Sequence, residues 1–326
     1  MSSLIRSLMM VVRLGALALA TAVALASLVA QGGMFSDRLD ILTHFAPVWL
    51  TLAIVALGLW GLAGGRKLLA PTPVIAAIAI LASAALIVPE FLRPGSGPPP
   101  AEGETLKIVQ FNLWGRGENP EQAVKWILAQ DADILVFQEA FARSGGIARA
   151  LSRQYPHHVT CAEPYPCSTM ILSRQRPVRK RNLGGNTPYV LSGAEATFAT
   201  PRGEFSVIGV HFTWPIPAGP QQQQTLRLSR VVAEHPRQTT ILSGDFNSTP
   251  WSFSLRRQDQ MLGLIRRTRG QASWPAAAVS RWKIRTPLPI LAIDQVYAGS
   301  DWKTVSVTRG PKLGSDHFPI VTVLRR

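Results

Sequence analysis

The sequence predicts an α+β domain with a sheet-sandwich core, preceded by three membrane-spanning helices. Three observations predict it. Uncharged apolar runs fill most of the first ninety residues. Beyond them, short apolar strands alternate with a segment of helical spacing. Polar residues capable of catalysis then recur at the ends of those strands.

Leu14 to Ala30, Phe45 to Gly65 and Leu68 to Pro89 carry no charge. Each is near the ~20 residues that cross a bilayer. No soluble core needs three such runs in succession, so residues 1–93 are expected to be a membrane anchor. Pro71 and Pro73 fall at the start of the third run, where a helix tolerates proline. Arg6 and Arg13 precede the first run and Arg66-Lys67 separate the second from the third, whereas Gln31 to His44 holds only Arg38 against Asp37 and Asp40. Basic ends stay inside. The expected location is therefore the cytoplasmic (inner) membrane, multi-pass, with the C-terminal domain outside. A first run cleaved as a signal peptide would leave that domain on the same side.

Residues 94–102 read as a linker, stiffened by Pro98-Pro99-Pro100. Residues 103–326 are ample for one enzyme domain. Leu106 to Asn112 is a strand ending in a carboxamide. Asn119-Pro120-Glu121 opens a helix through Ala123, Val124, Ile127 and Leu128. Asp133 to Glu139 is a buried strand ending in Gln-Glu, and Phe205 to His211 a strand ending in histidine. Thr239 to Leu242 leads into Gly244-Asp245-Phe246-Asn247. Ile293 to Tyr297 carries Asp294, and Phe318 to Leu324 follows Ser315-Asp316-His317. Gln221 to Gln224 read as a polar helix start with no function, and Arg256-Arg257 and Arg266-Arg267 as solvated faces.

Two carboxylates, a carboxamide and an imidazole gathered at strand ends suit metal-assisted phosphate-ester hydrolysis, in which a water is oriented and deprotonated while hard oxygen ligands hold a cation. Singly, each has a bland reading: Asn112 as a turn residue, Glu139 as a solvated loop entry, His211 as a core histidine, Asp245 and Asn247 as an Asx-turn. Their order is what adds weight.

Asn112, Gln138-Glu139, His211, Gly244-Asp245-Phe246-Asn247, Asp294 and Ser315-Asp316-His317, in that order, resemble the endonuclease/exonuclease/phosphatase superfamily from about Leu106 onward. The resemblance implies a four-layer αββα sandwich. It implies a Mg²⁺ cofactor, with Mn²⁺ as the alternative, held by Glu139 with Asn112 and Asp316 nearby. Asp245 would activate the water, Asn247 and Asn112 would hold substrate phosphate, and His211 would donate to a phosphate oxygen or leaving group. His317 would contact the scissile phosphate, with Asp294 fixing its tautomer. Where abasic-site endonucleases of the group carry Asn, this chain has Gly209, which counts against that specificity. Tyr165 is the one candidate for the group's catalytic tyrosine.

Cys161 and Cys167 are the only cysteines. Their spacing and expected external location favour a disulfide, with two free thiols as the alternative. Of the chain's 34 Lys/Arg and 19 Asp/Glu, six and four fall in residues 1–102, leaving 28 against 15, or +13, for the remainder. Such a domain suits phospholipid headgroups or nucleic acid. The expected partners are thus the bilayer and a phosphorylated substrate, and nothing marks a protein partner. The leading expectation is a membrane-tethered hydrolase of lipid phosphates, pyrophosphates or phosphodiesters. An extracytoplasmic nuclease acting on DNA is the runner-up, and an inactive receptor retaining the fold the third.

Overall fold

A computed structural model describes residues 3–326 apart from 116, 118, 142–144, 162–167, 185–189 and 277–287. Tyr165 and Cys167 lie outside the described residues. The chain divides into two compact units: residues 1–93 with 250–256, and residues 94–249 with 257–326.

The first unit is built on three long helices. These are α1 (Ser3–Gln31), then, after the short α2 (Asp37–Asp40), α3 (Ala46–Leu62) and α4 (Pro71–Leu92). By length and composition all three can cross a membrane. They meet through small residues, with Ala20, Ala24, Ala53, Ala56, Ala76 and Ala79 buried. Small side chains allow the close backbone approach on which apolar helices rely for association in lipid. Residues 250–256 belong to this unit. Phe253 and Ser254 donate their backbone N–H groups to the buried Asp40 carboxylate at 2.8 and 2.7 Å. Trp251 Nε1 donates to the His44 carbonyl at 3.0 Å, and the Arg256 guanidinium reaches the Leu86 carbonyl.

The second unit carries β1 (Thr105–Asn112), α5 (Pro120–Gln130), β2 (Ile134–Gln138), α6 (Gly145–Leu151), β3 (His157–Thr160) and β4 (Thr169–Ser173). There follow β5 (Arg179–Gly184), β6 (Ser192–Thr200), β7 (Gly203–His211), α7 (Ala218–Ala233), β8 (Ile241–Asp245) and α8 (Phe253–Leu262), which begins in the first unit. The chain ends with β9 (Ile265–Arg266), β10 (Asp294–Ala298), β11 (Lys303–Arg309) and β12 (Ile320–Arg325). Sheet one runs β11-β12-β1-β2-β4-β3 and sheet two β5-β6-β7-β8-β10-β9. In each, one parallel pair sits among antiparallel neighbours: β1 with β2, and β7 with β8. A parallel pair needs a crossover connection, supplied here by α5 and α7.

Alternation along β1 assigns its faces. Val109 and Phe111 pack outward with Ala123, Ile127, Ile147 and Leu151 of α5 and α6. Leu106 and Ile108 face inward, onto Phe198, Phe205, Val207, Ile241 and Trp302 of sheet two. On the far side, the buried Gln221 and Gln224 of α7 bond to the backbones of Thr213 and Val190. Asp259 of α8 accepts from Tyr297 Oη at 2.7 Å. The architecture is α+β, with helices outside two packed mixed sheets.

Candidate active site

The two parallel pairs bring the strand ends together. In sheet two, His211, Asp245 and Asp294 form one cross-strand row: His211 is registered with Asp245 on the parallel neighbour, and Asp294 with Asp245 on the antiparallel one. In sheet one, Asn112 is registered with Gln138. Gln110 and Asn112, two apart on the inward face of β1, bridge the sheets. Gln110 Nε2 donates to Asp294 Oδ1 at 2.6 Å and Asn112 Nδ2 to Asp245 Oδ2 at 3.0 Å. Within sheet two, Gly244 lets β8 lie close to β7, since a Cβ there would stand 1.9 Å from the Val210 carbonyl oxygen.

Asp245 sits at the centre. Its Oδ1 accepts the Asn247 N–H at 2.8 Å, an Asx-turn, which turns Oδ2 toward both histidines. His317 Nε2 lies 3.6 Å from Oδ2 and His211 Nε2 3.7 Å from it. The turn and the cluster coexist, because the turn aims the carboxylate. Burial pushes the Asp245 carboxyl up to about 6 from the usual 3.8, and the neighbouring Asp294 pushes the same way. The two histidines and the Asn247 N–H partly offset this.

His317 enters on the loop before β12. Ser315 Oγ fixes that loop by donating to the Asn112 carbonyl at 2.7 Å and accepting the His317 N–H at 3.0 Å. His317 Nδ1 meets Asp294 Oδ2 at 2.8 Å, and the same oxygen accepts from Ser273 Oγ. Burial alone would lower the His317 pKa. The Asp294 and Asp245 carboxylates outweigh it and raise the pKa to about 10, so this imidazole is charged at neutral pH. His211 Nδ1 is bonded to Ser168 Oγ at 2.5 Å, and that oxygen also accepts the Glu139 N–H.

Glu139, one residue past β2, and Asn247, two past β8, both lie in the left-handed region, at φ 52° and 47°. A non-glycine residue there is uncommon, and such strain concentrates at functional sites. Glu139 accepts from Asn112 Nδ2 at 3.3 Å and from the Gly115 N–H at 3.2 Å. Asn247 commits one of its N–H groups to the Phe212 carbonyl. Asp316 Oδ2 accepts from Trp274 Nε1 at 3.2 Å, while its buried Oδ1 has no hydrogen-bond partner among the described residues. Burial raises the Asp316 pKa, with the His317 charge opposing.

Carboxylate oxygens at Glu139 and Asp316 suit a hard divalent cation, and a buried carboxylate oxygen without a partner is the sort of atom that a cation satisfies; Asn112 turns Nδ2 to Glu139 and Asp245 and accepts the Trp114 N–H with its oxygen. Ligand atoms of Asp245, Asp294 and His317 also lie within 4.8 Å of one another, a spacing that fits a cation. Asp294 and His317 spend those lone pairs on their mutual hydrogen bond, so this second group takes either a cation or a proton.

Among the described residues, all the candidates other than Cys161 gather here; Tyr165 and Cys167 lie outside the described residues. Several contributors were not legible. Gln221, read as a helix start without function, donates to the carbonyls of Thr213 and Phe246 and braces both strand ends. Gln110, Ser168 and Ser273 orient the reactive groups, yet nothing in their sequence context marks them. Arg266 and Arg267, expected to be solvated, are 3% and 6% exposed. Arg266 pairs with Asp259, and one nitrogen of Arg267 donates to the carbonyls of Ala298, Gly299 and Trp302. The departure at Gly209 has a packing reason: a Cβ there would stand 2.9 Å from Val136 Cγ1 across the sandwich.

The family model for the Endonuclease/Exonuclease/phosphatase family matches residues 109–317. No curated protein matches the chain. Among solved structures, an endonuclease/exonuclease/phosphatase from Beutenbergia cavernae is 20% identical, with a TM-score of 0.50, covering 68% of this chain and 71% of that one. A variant of beta toxin from Staphylococcus aureus with bound magnesium ions is 14% identical, with a TM-score of 0.53, covering 67% and 99%. Sphingomyelinase C from Streptomyces griseocarneus is 17% identical, with a TM-score of 0.50, covering 68% and 99%. At these identities the likeness is one of fold. The family match spans most of the chain, including both strand-end pairs and the His317 loop, and the chain belongs to the Endonuclease/Exonuclease/phosphatase family.

Proposed function

We propose that the protein is a membrane-tethered, divalent-metal-dependent phosphoesterase. Its substrates would be lipid phosphates, pyrophosphates or phosphodiesters at the outer face of the cytoplasmic membrane. The observation that carries this reading is the row His211–Asp245–Asp294 closing on Asn112 and Glu139. It belongs to a chain that opens with three helices apolar enough to cross a bilayer.

In this reading Asp245 takes the proton of the attacking water. A carboxylate with a pKa near 6 is mostly ionised at neutral pH and a better base than an ordinary one. His317, held as imidazolium by Asp294, and His211, oriented by Ser168, offset charge on the phosphoryl oxygens. Asn247 and Asn112 position the phosphate. Glu139, Asn112 and Asp316 would hold Mg²⁺ or Mn²⁺, which supplies Lewis-acid neutralisation of the phosphoryl charge.

The anchor supports a lipid substrate, because a tether raises the effective concentration of anything in the same bilayer. Within the first unit, residues 250–256 bond to Asp40, His44 and Leu86, at the end of the bundle opposite Arg66-Lys67. Together with the basic-inside rule, this supports an external catalytic domain. An external location also suits a Cys161–Cys167 disulfide, and mass spectrometry of protein from its native membrane should find no free thiol.

The runner-up, a nuclease, draws on the +13 of residues 103–326. The deciding experiment is a panel on full-length protein in lipid: polyprenyl pyrophosphate, phosphatidylinositols, sphingomyelin, DNA and RNA. Turnover confined to the nucleic acids would replace the leading reading with the nuclease.

A further inference from the structure

We infer that the loop after β7 is the wall that receives the hydrocarbon part of the substrate, and that Trp214 and Ile216 form its contact surface. The inference rests on the phosphoesterase reading above and names which half of an amphiphilic substrate this loop meets.

The loop starts at His211, one of the two imidazoles facing Asp245. Phe212 is buried and stacks on Phe246 with ring centroids 5.1 Å apart. Thr213 is clamped from both sides: its N–H donates to Gln224 Oε1 at 2.9 Å and its carbonyl accepts from Gln221 Nε2 at 3.0 Å. The chain is thus fixed up to residue 213, and the next side chains face water. Trp214 is 54% exposed and Ile216 62%. Two large apolar groups on a braced loop, three and five residues from His211, thus lie open to solvent side by side.

The surface continues into the site. The Trp214 ring meets Trp274 edge-on at 6.0 Å. Trp274 in turn is buried, with its indole N–H on Asp316 beside His317. From the phosphate end outward the order is Asp316, Trp274, Trp214, then Ile216: an acid, an indole with its polar edge used, and two apolar side chains. Pro215 and Pro217 lack N–H groups, so the tip offers few polar contacts. A phosphate head at Asp245 would leave an attached chain to run over this face. A nucleic acid stacking a base on Trp214 would find no cation at Pro215, Ile216 or Pro217 to track its backbone. The hydrocarbon chain is therefore the occupant that these side chains favour.

The test uses full-length protein in nanodiscs with Mg²⁺ and alkyl p-nitrophenyl phosphodiesters of rising chain length, each below its micelle concentration. Wild-type kcat/KM is expected to rise about threefold per methylene over several carbons. In Trp214→Ala/Ile216→Ser the increment should fall below about 1.5-fold, while Trp214→Phe, which keeps an apolar ring, should retain most of it. A wild type that turns over the esters with no chain-length dependence, or a double variant with an unchanged increment, overturns the inference and leaves the phosphoesterase reading standing. So does a double variant impaired only on vesicle-borne substrate, which would make the loop a bilayer contact. Selective loss on a dinucleotide diester would make it a base platform and also overturn the inference. A wild type that turns over no phosphoester removes both.

Discussion

The two sheets present their functional side chains in different ways. Sheet two holds His211, Asp245 and Asp294 at the paired ends of regular strands, as one row set by register. A one-residue slip would turn the whole row to the wrong face, so its geometry is as secure as the sheet itself. Sheet one contributes Asn112 from a strand end but Glu139 from the first residue beyond one, in a left-handed turn held by longer hydrogen bonds. In the proposed mechanism the row handles protons, and the turn offers cation ligands. Register suits groups that need fixed mutual distances, whereas a turn allows the small adjustments that ligation requires. The contrast can be broken experimentally.

The largest effect is expected at the centre of the row. Asp245→Asn keeps the shape and loses the proton acceptor, so turnover should fall by about 10²–10⁴ in steady-state assays. Excess Mg²⁺ should not restore it. Recovery with metal would move Asp245 from the proton-handling set to the ligand set.

Asp294→Asn is expected to cost about 10–100-fold in kcat, because it removes the partner that orients and charges His317. It also has a pH signature in metal-free protein. The His317 pKa is raised in the fold from 6.5 to about 10, so its contribution to stability is complete below pH 6.5 and lost as pH rises through 10. The Asp245 pKa is raised from 3.8 to about 6, so its contribution is complete below pH 3.8 and lost as pH rises through 6. Melting temperature in EDTA should therefore decline over both windows. In Asp294→Asn the decline between pH 6.5 and 10 should flatten. A slope matching wild type would show that Asp294 does not hold the proton on His317.

Glu139→Gln tests the turn. Activity at limiting Mg²⁺ should drop about tenfold and return in excess metal, with weaker Mg²⁺ binding by calorimetry. An equal loss at all metal concentrations would place Glu139 with the proton-handling residues and erase the contrast between the sheets.

The smallest effect is expected between the sheets, away from the chemistry. Gly209→Ala places a Cβ 2.9 Å from Val136 Cγ1 and 3.2 Å from Ile171 Cγ1. Overpacking of this kind costs about 1–3 kcal/mol, read by denaturant unfolding, with kcat within about twofold of wild type. A large loss of kcat would mean that sandwich spacing is transmitted to His211.

Legibility followed burial. The strands at the centres of the sheets, β1, β2, β7, β8 and β10, together with β12, stand out as apolar runs because both their faces are covered. β5 did not: at a sheet edge, its Arg179, Lys180 and Arg181 read as solvated charge. β6 is nearly all buried, yet Ser192, Gly193, Ala194 and Ala196 are too small to announce a strand. Within the site, the reactive groups were legible because carboxylates and imidazoles at strand ends are conspicuous. Their supports were not, because glutamine and serine are ordinary surface residues until a fold buries them. Gln221 and Gln110 became informative only once their partners, far off in sequence, were in view.

The Asp40 carboxylate bears on how portable the second unit is. It caps two peptide N–H groups of residues 253 and 254, more than two hundred positions downstream, in a segment that begins three residues after Asn247. Cutting at the proline linker would release a chain still carrying that segment. The two N–H groups would lose their acceptor, and Trp251 and Phe253 their packing. A shuffled gene joining residues 94–326 to an unrelated anchor would inherit the same orphaned segment. The helical bundle and the segment after Asn247 are therefore one heritable module, expected to travel through evolution together.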